Sequence, residues 1–166
     1  MNPKKRMMFI ASEDYYYITY SILLILQYLE SYNGNNIQDR RILNVLIETT
    51  SNSRLLTVLE RSKLLHQLPQ GSDISVLENS YDRIQSRTAF VNRVLFVLNH
   101  HNYVELLDDY GIALVNQNIP DGFYDEKLFE LEISNILRIK KLYPQIKRTK
   151  TERLIENLFT KNGVLV

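Results

Sequence analysis

Hydrophobic residues recur every three or four positions along most of the chain, which is the spacing of one face of an α-helix. The pattern predicts helices over 13–32, 37–49, 54–66, 87–100 and 125–143, and a last helix with an apolar stripe over 154–159 that ends at Gly163. A further helical segment is predicted to open at Ser75, because Ser75 and Glu78 have capping-box spacing. The predicted N-caps of the other helices are Ser12, Asn36, Ser53 and Thr149.

The pattern changes at Tyr103, where helical spacing gives way to two short β-prone runs, 103–107 and 112–115. The turn-rich stretch Asp108 to Gly111 between them predicts a β-hairpin. Two helices, then a third helix feeding a hairpin, is the order of a winged helix. We therefore predict one mainly α domain, 1–166, with one small β-hairpin. A winged-helix-like core (36–116) would be flanked by a long N-terminal helix (12–33) and a C-terminal helical pair (123–162). An irregular helical bundle with an incidental hairpin is the alternative.

The first predicted helix is apolar on two sides. Its aliphatic stripe consists of Ile18, Ile22, Ile25, Leu26 and Leu29, and aromatic residues dominate the other side. A helix that is apolar on both sides is covered on both sides, and one small domain supplies the second cover with difficulty. A large core with tyrosine hydroxyls at its rim is the alternative, but we predict an interface with a protein partner. The predicted interface also includes Phe96, an outward aromatic residue on the helix predicted over 87–100. Its residues are Tyr16, Tyr17, Tyr20, Leu23, Leu24, Tyr28 and Phe96.

The helix before the hairpin lacks the outward face of a DNA reader. Such a face offers Arg, Lys, Asn or Gln to base edges, yet here Arg93 is its one strong basic residue and Phe96 lies in its middle. The remaining outward positions are Ala89, Asn92, Asn99 and His100. Asp108 and Asp109 would bring negative charge toward a phosphate backbone. The pattern thus favours protein contact over sequence-specific DNA reading.

Composition narrows the class of protein. The chain has 166 residues, 45% hydrophobic and 23% charged, as in a folded globular domain. It contains no cysteine, which excludes disulfides and thiolate metal sites and fits a cytoplasmic location. The apolar run 15–29 is interrupted by polar residues and falls short of the roughly 20 residues of a membrane span. We therefore predict a soluble protein without a membrane partner.

The net charge of +1 gives no global attraction for nucleic acid, but one segment is strongly basic. Between residues 138 and 153 the only acid is Glu152. The seven cations of this segment are Arg138, Lys140, Lys141, Lys147, Arg148, Lys150 and Arg153. One interpretation is a solvated helix end, where cations suit the helix dipole. The other is a surface that contacts DNA without sequence preference, or an acidic partner.

No catalytic motif is found. Phosphate-binding glycine loops, the nucleophile elbow and the H-E-x-x-H zinc motif are all missing from the sequence. His100 and His101 would point about 100° apart on a helix, so they do not converge on a metal ion. We predict a protein that is not an enzyme, with no catalytic, cofactor-binding or metal-binding residue and no small-molecule substrate.

The size, the two-faced helix 15–29, the helices leading into the hairpin 103–115 and the lack of an active-site motif together resemble one family. It comprises the middle components of ABC-three-component systems, including Lamassu-type antiphage defence. The resemblance is one of architecture, with no signature motif. It implies a winged-helix-like adaptor between an SMC-like ATPase and an effector. The alternative is a winged-helix DNA-binding transcriptional regulator that dimerises through its first helix.

Overall fold

The computed structural model describes residues 14–125 and 127–166. In this part, six α-helices enclose a core beside one two-stranded sheet. The helices are α1 (Tyr15–Tyr28), α2 (Ile42–Ser51), α3 (Ser53–Leu65), α4 (Ser72–His100), α5 (Glu130–Leu142) and α6 (Thr151–Leu158). The strands β1 (Val104–Leu106) and β2 (Ile112–Leu114) lie between α4 and α5. The prediction of a mainly α fold with one small β-hairpin is confirmed.

Helix α1 is capped by Asp14, whose Oδ1 accepts from the backbone N–H groups of Tyr16 at 2.8 Å and Tyr17 at 3.1 Å. The predicted cap Ser12 lies outside the described residues. The helix ends at Tyr28, four residues before the predicted end. Glu30 takes a left-handed φ of 55°, and the N–H of Ser31 donates back to the carbonyl of Leu26 at 2.8 Å. This is a Schellman-type ending formed without glycine.

Ile37, predicted as the first residue of a helix, instead forms an isolated antiparallel bridge to β2. It exchanges two backbone hydrogen bonds with Ile112, at 3.1 and 2.9 Å. Helix α2 therefore starts only at Ile42, and the predicted cap Asn36 does not cap it. Between α2 and α3, Asn52 rather than Ser53 is the N-cap, and its Oδ1 accepts from the N–H of Leu55 at 3.1 Å.

Helix α4 is one continuous helix of 29 residues that leads into the hairpin. It begins at Ser72, so that Ser75 and Glu78 lie inside it and form no capping box. The hairpin pairs Val104 with Leu114 and Leu106 with Ile112 in antiparallel register. The observed order of α2, α3, α4 and hairpin agrees with the predicted order.

The C-terminal elements are shorter than predicted. Residues 123–125 and 127–129 form 3₁₀ turns, so α5 starts at Glu130 and not at 125. Helix α6 has no cap from Thr149. Instead, the N–H of Thr151 donates to Oδ2 of Asp39 at 2.9 Å, which ties the start of α6 to the residues before α2.

Candidate functional site

The aromatic side of α1, predicted to bind a partner, is covered within the chain. Tyr17, Leu23 and Leu24 are buried, with 6%, 3% and 0% of their surface exposed, and Tyr20 and Tyr28 are half-buried. Tyr16 alone of the predicted α1 set is exposed. The expectation that one small domain leaves the second side of α1 to a partner is therefore wrong for these residues.

The cover comes from the 3₁₀ turns before α5 and from α5 itself. The ring of Tyr20 stacks on the rings of Phe123 and Phe129, with distances between ring centres of 4.5 and 4.2 Å. The Tyr20 hydroxyl donates a hydrogen bond to the backbone carbonyl of Phe123. Tyr17 stacks on Phe129 at 6.1 Å. Burial raises the pKa of the Tyr17 hydroxyl, and the nearby carboxylate of Glu132 adds to this effect. The second cover is thus supplied by Phe123, which precedes the helix predicted over 125–143, and by Phe129, which lies in a 3₁₀ turn at its start.

Exposed apolar side chains lie elsewhere. On α4, Phe96 is 71% exposed and Val97 lies partly exposed beside it, which confirms the predicted outward position of Phe96. At the end of α3, three exposed leucines fall within five residues: Leu64, Leu65 and Leu68. Contiguous exposed apolar groups are typical of surfaces that bind other proteins.

The outward face of α4 carries little positive charge. Ala89, Asn92 and Arg93 are exposed there, and the guanidinium of Arg93 lies 5.8 Å from the ring centre of Phe90. Asn99 is turned to the hairpin, where its Oδ1 accepts from the N–H of Leu106 at 3.1 Å. Among the described residues, no group of three His, Asp or Glu side chains is placed to hold a metal ion.

The seven predicted basic residues divide into two groups. Arg138 forms an ion pair with Glu60 at 2.6 Å, and Lys140 lies 3.4 Å from the carboxylate of Glu30. The Nζ of Lys147 donates to the backbone carbonyls of Glu30 and Asn35 at 3.3 and 3.4 Å. These three side chains are occupied by contacts that hold elements of the fold together. The other four of the seven, Lys141, Arg148, Lys150 and Arg153, have neither an ion pair nor a side-chain hydrogen bond within the described ranges.

Three of these four cations share a concave pocket with a fourth cation that the sequence did not indicate, Lys63 of α3. The pocket has a volume of about 590 Å³. We call it the basic pocket, and it is lined by Lys63, Tyr143, Pro144, Gln145, Arg148, Thr149, Lys150, Arg153 and Asn157. Its lining includes four positive charges and no carboxylate. No local signal links Lys63 to a segment 80 residues away, so only the fold reveals the grouping.

Lys63 and Tyr143 form a fixed wall of the basic pocket. The Nζ of Lys63 donates to the carbonyl of Leu142 at 2.5 Å and lies 3.7 Å from the ring centre of Tyr143. Burial lowers the pKa of Lys63 and raises that of Tyr143 to about 12. The ammonium therefore has a defined position at the edge of α5.

A second charged cluster lies in the interior. Glu48, 2% exposed, accepts hydrogen bonds from Arg83 at 2.6 Å and from Arg87 at 3.2 Å. Burial lowers the pKa of Arg87, and the carboxylate of Glu48 opposes this effect. The Nε of Arg87 also donates to Oδ1 of Asn44 at 3.2 Å. The cluster fastens α2 to α4, because the charged partners come from these two helices.

No protein-family model, no curated protein and no solved structure matches this chain. The resemblance to the middle components of ABC-three-component systems therefore stays a prediction. Within 14–125 and 127–166, no helix is both long enough and apolar enough to cross a membrane.

Proposed function

We propose that this chain is a non-catalytic adaptor subunit of a cytoplasmic multi-protein complex. Its partner contact is the exposed face of α4 around Phe96, and the buried side of α1 takes no part in it. Following the family resemblance, the partners are an SMC-like ATPase and an effector of an antiphage defence system. The single observation that carries the proposal is the 71% exposure of Phe96 in the last turns of a well-packed helix.

The fold does not account for a phenylalanine at this position. The inward face of α4 is already filled, with Val91, Val94 and Leu95 all at most 2% exposed. Phe96 adds nothing to that core, and a phenyl ring in water forgoes the roughly 1.5–3 kcal/mol that its burial would contribute. Aromatic residues of this kind carry much of the binding energy at protein interfaces. A partner that covers Phe96 would recover that energy.

The alternative, a winged-helix transcriptional regulator, receives less support. A sequence reader needs several polar or basic side chains toward the DNA, and α4 offers Arg93 and Asn92 beside an exposed phenyl ring. The exposed Asp108 and Asp109 at the hairpin turn would face phosphates with negative charge. The regulator predicts tight binding to a particular operator at moderate salt, which the adaptor does not.

The test compares two exposed aromatic residues. A tagged chain is purified from its native host as wild type, as Phe96→Glu and as Tyr16→Glu, and each complex is weighed and its subunits identified. We expect the wild type and Tyr16→Glu to carry a large coiled-coil ATPase and Phe96→Glu to be isolated alone. Because both side chains are mostly exposed, the free energy of unfolding of each variant should lie within about 0.5 kcal/mol of the wild-type value.

Other outcomes would refute this assignment. A wild-type chain isolated as a monomer without partners would rule out the adaptor. A complex that survives Phe96→Glu but not Tyr16→Glu would move the interface to the start of α1.

A further inference from the structure

We propose that the basic pocket binds the phosphate backbone of single-stranded nucleic acid. The proposal goes beyond the adaptor function and rests on residues far from Phe96 in sequence, so either can fail without the other. Its basis is that three separate elements bring Lys63, Arg148, Lys150 and Arg153 around one concave surface.

The basic pocket brings four positive charges together, and its lining has no carboxylate. Five of the ten arginines and one of the seven lysines described are paired with acids, and the four cations of the basic pocket have no ion pair in the described ranges. Grouping like charges costs energy unless an anion neutralises them. A concave site focuses the field and raises the local concentration of a polyanion. Guanidinium groups such as those of Arg148 and Arg153 match phosphate oxygens in a bidentate geometry.

The elements that carry these cations are held rigidly. Lys63 is held by the carbonyl of Leu142 and the ring of Tyr143. The turn that presents Arg148 is anchored by Ile146, which is 2% exposed. The carboxylate of Asp39 fixes the first residue of the helix that carries Arg153. A site whose cations stand on fixed elements loses less conformational entropy when a ligand binds.

A neighbouring pocket favours a nucleic-acid strand over an acidic peptide. It has a volume of about 350 Å³ and shares Pro144, Gln145 and Arg148 with the basic pocket. Amide side chains dominate the rest of its lining, which consists of Gly34, Asn35, Asn36, Gln38 and Lys147. Asn and Gln amides form hydrogen bonds with base edges, and these edges are accessible in single strands. A strand that lies across both pockets would place phosphates among cations and a base among amides.

The proposal is tested by fluorescence anisotropy with a labelled single-stranded DNA of about 12 nucleotides, a length within the range of known single-strand sites. If four cations each neutralise one phosphate, the slope of log K against log salt should be about −3. Arg148→Gln, Lys150→Gln and Arg153→Gln should each make the slope shallower by about 0.7, and Lys63→Met should do the same.

Lys141→Gln is the matched control, because Lys141 belongs to the same basic segment and has no ion pair with a described residue, but does not line the pocket. It should leave both the affinity and the slope unchanged. An equal loss with Lys141→Gln would show a diffuse charge effect and overturn the pocket. A variant that combines Arg148→Gln, Lys150→Gln and Arg153→Gln and still binds like the wild type would also overturn the proposal.

Competition identifies the ligand. A single-stranded RNA or DNA competitor should displace the labelled strand. If polyglutamate displaces it equally well at equal charge, the site is one for acidic proteins and the proposal is wrong. If a nucleoside triphosphate displaces it equally well at equal phosphate concentration, the site takes free nucleotides and the strand is not its ligand.

Discussion

Asp39 joins the segment before α2 to the start of α6, and its replacement by asparagine tests how the two are held together. The carboxylate is 5% exposed. Its Oδ1 accepts from the backbone N and from Nε of Arg41, and its Oδ2 accepts from a second guanidinium nitrogen of Arg41 and from the N–H of Thr151. Asp39→Asn keeps the size of the side chain but removes its charge. The substitution also weakens the cap of α6, the helix that carries part of the basic pocket.

The loss of stability expected for Asp39→Asn follows from the pKa of Asp39. Burial alone would raise it, but the hydrogen bonds from Arg41 and Thr151 are stronger and lower it from 3.8 to about 2. Each unit by which the pKa is lowered corresponds to about 1.4 kcal/mol of stability, so this shift gives roughly 2.5 kcal/mol before screening by water. Arg41 is 46% exposed, so water screens part of the ion pair and we expect about 2 kcal/mol. Because the folded-state pKa is depressed, this contribution is fully present above pH 4 and disappears as the pH falls toward 2.

The assay is urea unfolding, followed by circular dichroism, at pH 7 and at steps down to pH 2. At pH 7 the free energy of unfolding of the wild type should be about 2 kcal/mol larger than that of Asp39→Asn. This difference should shrink between pH 4 and pH 2. Asp109→Asn, in the exposed hairpin turn, is the control and should change stability by less than about 0.5 kcal/mol. A difference between the wild type and Asp39→Asn that stays constant over the whole range would refute the assigned role of the charge.

Two further substitutions test the interior by the same unfolding assay. Glu48→Ala should lower the free energy of unfolding by roughly 3–5 kcal/mol, because it leaves Arg87 buried without a carboxylate. Adding Arg87→Met should recover part of that loss, and no recovery would contradict the ion-pair explanation. Leu24→Ala should cost roughly 2–5 kcal/mol, since Leu24 is fully buried. Leu131→Ala, at a 49% exposed position, should cost less than about 0.5 kcal/mol, and equal losses at the two leucines would place Leu24 outside the core.

Local patterns in the sequence were enough to predict the class of fold. The three-to-four-residue spacing of apolar side chains and the turn at Asp108 depend on neighbours in the chain, so the helices and the hairpin could be recognised. Helix boundaries were less accurate, because tertiary contacts set them. Ile37 fits a helical pattern in the sequence but forms a β-bridge with Ile112 in the structure. The first turn of α6 is capped by Asp39 and not by Thr149.

The candidate site was predictable only in part. The sequence identified the basic segment and the outward Phe96, since both are features of consecutive residues. It could not separate Arg138 from Arg153, which has no ion pair among the described residues, because the ion pair of Arg138 with Glu60 depends on how α3 and α5 pack.

By itself, the sequence determined where helices and strands can form, that α1 is apolar on two sides, and that positive charge concentrates near the C-terminus. Only the tertiary structure decided that Phe123 and Phe129 cover the second side of α1, and that Lys63 joins Arg148 and Arg153 in one pocket. The physical reason is that periodicity is a property of neighbouring residues. Burial and charge pairing depend on which distant segments the folded chain brings into contact.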